Sequence, residues 1–293
     1  MKPKTIRIGS RESRLAIAQT ELVLHAIRRR FPETPLELVS MKTTGDRFLD
    51  KPLDQIGGKG VFVKELDAAL REGKIDLAVH SLKDVPMETP PDLPLRAFFR
   101  RGDPRDALVL PLSPAAENTV IGSSSARRKL QLGTLFPHAA VEPIRGNLLT
   151  RLDKLERGPY TSLVLAAAGL QRLGLSHRIS RVFSVDEILP AAGQGILAIQ
   201  GRAGEAFPFL QAIHCPQTAC TALAERAFVR ALHGGCSSPV AAYAEISGQE
   251  LHLRGLYWQE GSGSYRIGTL TGEPEQAERL GEQLARQMQE ESV

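Results

Sequence analysis

The sequence predicts an α/β fold: two hinged halves on mixed, mostly parallel sheets, followed by a small C-terminal α+β domain. Three observations predict it. Short apolar runs alternate with segments of helical periodicity as far as Ala167, the pattern of parallel strands covered by helices on both faces. One plan occurs twice: Ile6-Arg7-Ile8-Gly9-Ser10-Arg11-Glu12-Ser13 and Val120-Ile121-Gly122-Ser123-Ser124-Ser125-Ala126-Arg127-Arg128 each lead a strand through a Gly-Ser turn into a helix entered by serine. From Pro216 the alternation gives way to a helix, three alternating strands and a last helix. The domains are expected at residues 1–98 with 195–214, at 103–190 and at 216–293.

The elements follow in order. Ile6 to Ile8 reads as a strand, and Ala16, Ile17, Thr20, Val23, Leu24 and Ile27 share one face of a helix from Ser13 to Arg30. Leu36 to Met41 alternates like a strand, Val61 to Arg71 is helical, and the apolar run Ile75 to Val79 is a buried parallel strand. The second set comprises strands Ala107 to Leu110, Val120 to Ile121, Ala140 to Ile144 and Leu163 to Ala167, with helices Ser125 to Leu132 and Asn147 to Glu156. Proline- and glycine-rich stretches at 90–94 and 101–105 mark a crossing between halves. Pro190 to Gly195 marks a second crossing, before a returning strand Ile196 to Gln200. Two crossings make a hinge. A helix from Pro216 to Leu232 precedes strands Val240 to Ile246, Glu250 to Trp258 and Tyr265 to Leu270, and a helix opens at Pro274, where proline suits the first turn.

Composition narrows the function classes. A formal net charge of only +4 over 293 residues is too small for a general nucleic-acid binder, so no nucleic-acid partner is expected. No apolar stretch spans a bilayer, and Met1 to Thr5 leads into a strand without a signal-peptide core. Cys215, Cys220 and Cys236 are an odd number for a disulfide framework. A cytoplasmic protein without membrane contact is the expectation.

The chemistry is concentrated at strand ends. Ala78-Val79-His80-Ser81-Leu82-Lys83-Asp84-Val85-Pro86 places an acid at the carboxyl end of a buried strand, where open α/β sheets bind ligands. His80 is expected to order the strand end. Arg11, Arg127, Arg128, Arg145 and Arg151 stand beside strand ends or helix starts, and Lys59 lies in Gly57-Gly58-Lys59-Gly60. Arginine takes carboxylate or phosphate through paired hydrogen bonds, and serine-capped helix starts attract anions. The two serine entries also read as ordinary capped helices. The glycine turn lacks the spacing and Lys-Ser/Thr pair of a P-loop. His214, Cys215, Cys220, His233 and Cys236 lack paired zinc-ligand spacing, so no metal is expected. Cys236, in Leu232-His233-Gly234-Gly235-Cys236, reads equally as an inert loop cysteine or as one presented to a ligand.

Taken together, the motifs resemble the porphobilinogen deaminase (hydroxymethylbilane synthase) family along nearly the whole chain. They are Ser10-Arg11-x-Ser13-x-Leu15-Ala16, Gly57-Gly58-Lys59-Gly60, His80 to Pro86, and Gly122-Ser123-Ser124-Ser125-x-Arg127-Arg128. Arg145-Gly146-Asn147, Ala168-Gly169-Leu170-x-Arg172-Leu173 and Gly234-Gly235-Cys236-x-x-Pro239 complete the series. The resemblance implies two domains like the halves of a type-2 periplasmic binding protein. It implies a dipyrromethane cofactor in thioether linkage to Cys236, and head-to-tail polymerisation of porphobilinogen with release of ammonia into a linear tetrapyrrole. It implies Asp84 as the catalytic acid, standing alone among cations. Lys83, Ser81, Ser123, Ser125, Arg127, Arg128 and Arg145 would hold the cofactor, and Arg11, Ser13, Lys59, Arg151, Arg172 and Gln194 the substrate, with Gln194 at the hinge. Porphobilinogen and the growing polypyrrole would be the partners of a monomer. Gln55 stands where the family usually carries lysine. The competing expectation is a non-catalytic polycarboxylate-binding module of periplasmic-binding-protein type.

Overall fold

A computed structural model describes residues 5–47, 60–113, 119–235, 238–258 and 265–290. Gln55, Lys59 and Cys236 lie outside the described residues. The chain divides into two compact units, Met1–Gly102 with Ile196–Ala219, and Asp103–Gly195 with Cys220–Val293.

The elements run β1 (Ile6–Arg11), α1 (Arg14–Arg30), β2 (Leu36–Met41), α2 (Thr44–Arg47), α3 (Lys64–Arg71), β3 (Leu77–Ser81) and β4 (Leu95–Phe98). Next come β5 (Asp106–Val109), β6 (Val120–Gly122), α4 (Ala126–Leu135), β7 (Ala140–Glu142), α5 (Leu148–Arg157), β8 (Ser162–Ala166), α6 (Ala167–Arg172) and β9 (Arg181–Val182). The chain then returns to the first unit with β10 (Leu197–Gly201) and α7 (Phe209–Ile213), and continues through α8 (Pro216–Ala231) to β11 (Ala241–Ser247), β12 (Glu250–Trp258), β13 (Tyr265–Gly272) and α9 (Ala277–Glu290).

Sheet order in the first unit is β2-β1-β3-β10-β4, and in the second β7-β6-β8-β5-β9. Within each sheet a single strand, β10 or β5, runs against the rest. The sheets are therefore mixed and mostly parallel, as the alternation predicts. The repeated plan has a structural counterpart, because β1 and β6 occupy the same place in the two orders. Each leads into a serine-capped helix. Ser13 Oγ accepts from Ala16 N at 3.3 Å, and Ser125 Oγ from Arg128 N at 3.4 Å, satisfying donors that a helix start leaves unpaired.

Helix α1 buries Thr20, Val23, Leu24 and Ile27, the face its periodicity marks, and Arg28, Arg29 and Arg30 in its last turn complement the helix dipole. Strand β3 is enclosed on both sides: Leu77 and Val79 enter the core shared with α1 and β10, and Ala78 enters the core under α3. It begins two residues later than its apolar run suggests, because Asp76 ends in ion pairs with Arg7 and Arg202, and it extends through His80 and Ser81. Helix α3 starts at Lys64 rather than Val61, since Gly60 (φ +84°) opens a turn there. The short elements β4, α6, α7 and β9 carry too few residues for a periodic signal.

In the C-terminal part, β11-β12-β13 form an antiparallel meander. Helix α9 buries Ala277, Leu280, Gly281, Leu284, Ala285 and Met288, one stripe at helical spacing. A Cβ on Gly281 would lie 2.3 Å from Ala224 O and 2.7 Å from Phe228 N, so α9 and α8 meet at backbone distance. Gly281→Ala is expected to destabilise this packing by about 1–3 kcal/mol, read as a lower urea midpoint in the folding of the C-terminal part. An unchanged midpoint would show that the helices have room to separate.

Candidate active site

In the first unit the carboxyl ends of β1 and β3 bring Arg11, Ser81, Lys83 and Asp84 to one edge of the sheet. A 3₁₀ turn, Leu82–Asp84, follows β3, with Leu82 fully buried as its anchor. Asp84, Arg11, His80 and Ser81 line a small hollow floored by Val79 and walled by Phe62. Ser81 Oγ donates to Gln19 Oε1 at 3.0 Å. Ser13 is engaged as the α1 cap. Arg11 is held from behind: its Nε and Nη2 reach the two oxygens of Asp46 at 3.2 and 2.5 Å, and its guanidinium lies 4.2 Å from the centre of the Phe62 ring. Burial raises the Asp46 carboxyl, but Arg11 and Thr43 outweigh it and hold it below the usual range. Asp84 is thus not the sole acid here. Asp46 comes from a four-residue helix that carries no sequence signal.

His80 is buried and bonded at Nε2 to Gln200 Oε1 at 2.9 Å, and Gln200 Nε2 donates to Leu93 O at 2.9 Å. With the amide so oriented, His80 is the Nε2–H tautomer. Desolvation first, then the nearby Arg11, pushes its pKa down to about 4, against the pull of Gln200 and Asp84. It is a neutral group beside the acid.

In the second unit the expected residues divide by environment. Ser123 is buried and accepts from Ser125 N at 3.4 Å. Ser124, next to both, ties the helix start to Ile144 by accepting from its N at 2.9 Å and donating to its O at 2.7 Å, which brings the Arg145 loop alongside. Arg151 Nε donates to Gly146 O at 2.8 Å within that loop. Arg172 donates to Gly195 O at 2.5 Å, and burial lowers its pKa to about 10. Arg127 and Arg128, on the first turn of α4, are only 4% and 6% exposed. Both close on Asp106: Arg127 Nη1 to Oδ2 at 2.8 Å and Arg128 Nη2 to Oδ1 at 2.7 Å. Gln194 Nε2 donates to the same Oδ1 at 2.8 Å and to Pro104 O at 2.7 Å. Burial pushes Asp106 up, but the two arginines together hold it far below the carboxylate range.

Sequence reasoning missed Asp46, Asp106, Gln200 and Phe62. Asp106 had a signal, a charged residue directly before the apolar strand Ala107-Leu108-Val109, hidden by its place between that strand and the crossing at 101–105.

Among the described residues no group of histidine, cysteine and acidic side chains could hold a metal ion, and no helix is long and apolar enough to cross a membrane. Fold and site define an α/β protein that gathers arginine, lysine and serine side chains at strand ends, with an acid just past the end of a central strand. Residues 6–207 match the family described as porphobilinogen deaminase, dipyromethane cofactor binding domain, and residues 219–290 match the porphobilinogen deaminase C-terminal domain. The chain is 56% identical to the porphobilinogen deaminase of Ruminiclostridium cellulolyticum, over 98% of both chains. It is 45% identical to that of Ralstonia nicotianae, over 98% of this chain and 89% of the other. Among solved structures, the periplasmic aliphatic sulphonate binding protein SsuA from Escherichia coli aligns with a TM-score of 0.42 at 16% identity, over 79% of this chain and 71% of that one. The chain belongs to the porphobilinogen deaminase family.

The buried neutral His80 carries a pH signature. Its folded pKa of about 4 lies below the 6.5 of the free group, so between these values the unfolded chain binds the extra proton. Its contribution is complete above pH 6.5 and is lost as pH falls toward 4, at about 3 kcal/mol. Urea midpoints measured across this range should fall less steeply in His80→Gln. Parallel profiles would exclude His80 as the source.

Proposed function

We propose that this chain is a transferase that joins porphobilinogen units head to tail, with loss of ammonia, into the linear tetrapyrrole hydroxymethylbilane. The observation that carries the reading is the placement of Asp84 at the end of β3, in a hollow it shares with Arg11 and Ser81. In each addition an aminomethyl C–N bond breaks, a C–C bond forms at a pyrrole α-carbon, and the α-hydrogen leaves as a proton. The departing nitrogen needs a proton, which a carboxyl group in reach can supply. The positive charge that spreads over the pyrrole as nitrogen leaves needs an anion, and the Asp84 carboxylate serves. Family relatives carry the name deaminase, which leaves a purely binding module without support.

The residues fit a carboxylate-rich cofactor. Arg128 Nε is buried without a hydrogen-bond partner among the described residues, and Arg127 and Arg128 together outnumber their one acid. Ser81, Lys83, Ser123, Ser125, Arg127, Arg128 and Arg145 would hold the dipyrromethane; Arg11, Ser13, Lys59, Arg151, Arg172 and Gln194 would hold substrate carboxylates and the lengthening chain. When bound, the dipyrromethane supplies the pyrrole terminus that is extended. Its thioether link to Cys236 belongs to the same reading, as do the three domains at 1–98 with 195–214, 103–190 and 216–293. A cytoplasmic monomer that needs neither nucleic acid nor membrane completes it.

Asp84→Asn should stay folded and lose turnover by about two to four orders of magnitude, with Asp84→Glu retaining part. A folded Asp84→Asn protein that consumes porphobilinogen at the normal rate would end the assignment. The intact mass of the purified chain should exceed the sequence mass by one dipyrromethane, and Cys236→Ala should show no excess. An adduct mapped to Cys215 or Cys220 would move the attachment elsewhere.

A further inference from the structure

Asp106 is a fully enclosed charge of the second unit, with no exposed surface. It comes from the start of β5, while the arginines it binds come from α4, more than a dozen residues later in the chain. Each arginine spends one more donor on a backbone carbonyl: Arg127 Nη1 on Leu189 O at 2.7 Å, and Arg128 Nη1 on Val164 O at 3.0 Å. Arg128 is therefore fixed by hydrogen bonds to both a carboxylate and a carbonyl, while Arg127 is hydrogen-bonded to its carbonyl and held against Asp106 Oδ2 by an ion pair without a hydrogen bond. The charge count is uneven, two positive against one negative, in a region where burial makes an unmatched charge costly. The donors are uneven too. The Nε and Nη2 groups of Arg127 make no hydrogen bond among the described residues, and Arg128 Nε is buried without one.

We infer that Asp106 is a positioning residue for anion binding: it fixes the orientation of Arg127 and Arg128 and cancels one of their two charges, leaving a preorganised receptor for a single carboxylate. This rests on the function proposed above. Without Asp106 the two like charges would repel and each guanidinium would regain rotamer freedom, which binding would have to remove again. Gln194 also holds Asp106, donating at 2.8 Å to the Oδ1 that Arg128 binds.

The test compares the wild-type chain with Asp106→Asn, Arg127→Gln and the double variant. Cofactor-free chains are incubated with porphobilinogen, dipyrromethane acquisition is followed by intact mass and Ehrlich's reagent, and melting temperature is measured alongside. Each single variant should load at least about tenfold more slowly, and the double variant no more slowly than the worse single, because both changes disable one device. A purely structural carboxylate would lower the melting temperature and leave the loading rate of folded protein unchanged. Wild-type loading by Asp106→Asn, or losses that multiply in the double variant, would overturn the inference. If Asp106→Asn does not fold, Asp106→Glu replaces it and is read in the same way; failure of both to fold would make Asp106 a fold element and overturn the inference as well. A wild-type chain that takes up no porphobilinogen would sink the proposed function alone. The inference would then be read from calorimetric affinity for tricarballylate, expected to fall about tenfold in Asp106→Asn and overturned by equal affinity.

Discussion

Enclosure of β3 on both faces is the constraint on which the site depends. The strand is bonded to β1 on one edge and to β10 on the other, and its side chains alternate between two cores. A slip of one residue would turn every apolar side chain to the wrong core, so the register is strongly determined. Asp84 lies just past the end of this strand, and its place is inherited from that register through the buried Leu82. The acid itself need make no strong contact to be well placed. That leaves it available to whatever enters the hollow.

The arginines follow a second rule. Arg11 is gripped by Asp46 and stacked on Phe62, while Arg127 and Arg128 are gripped by Asp106. In both units a carboxylate distant in sequence braces a guanidinium, so that its remaining donors point in a set direction. Long side chains lose substantial freedom when they bind a ligand, and a braced arginine has lost most of it in folding. Each brace also removes charge. Each unit's arginine cluster is consequently less cationic than a count of its arginines suggests, and better ordered.

Much of this was legible in the sequence because it is periodic or local. The helix α1 stripe, the apolar run before His80, the two serine entries and the α9 stripe each announce themselves within about ten residues. What stayed hidden was relational. Asp46 and Asp106 are ordinary acids until the fold sets them against arginines far along the chain, and Gln200 is an ordinary strand residue until register places it beside His80. The burial of Arg127 and Arg128 was equally invisible, since a serine followed by two arginines reads the same at a surface. Pairing across a sheet is decided by topology, which no short window contains.

The place of β10 has a consequence for how the molecule is made. The first sheet has its β4 by Phe98, but β10, the strand that lies between β3 and β4, begins only at Leu197. During synthesis β3 and β4 therefore wait, unjoined, through roughly a hundred further residues, a span of the kind that slows non-local strand pairing. The intervening segment contributes every strand of the second sheet, so that sheet is free to close while the first still has a gap between β3 and β4. The strand edge that ends beside the acid is sealed late, by a piece of chain emerging from the ribosome after a complete neighbour has passed.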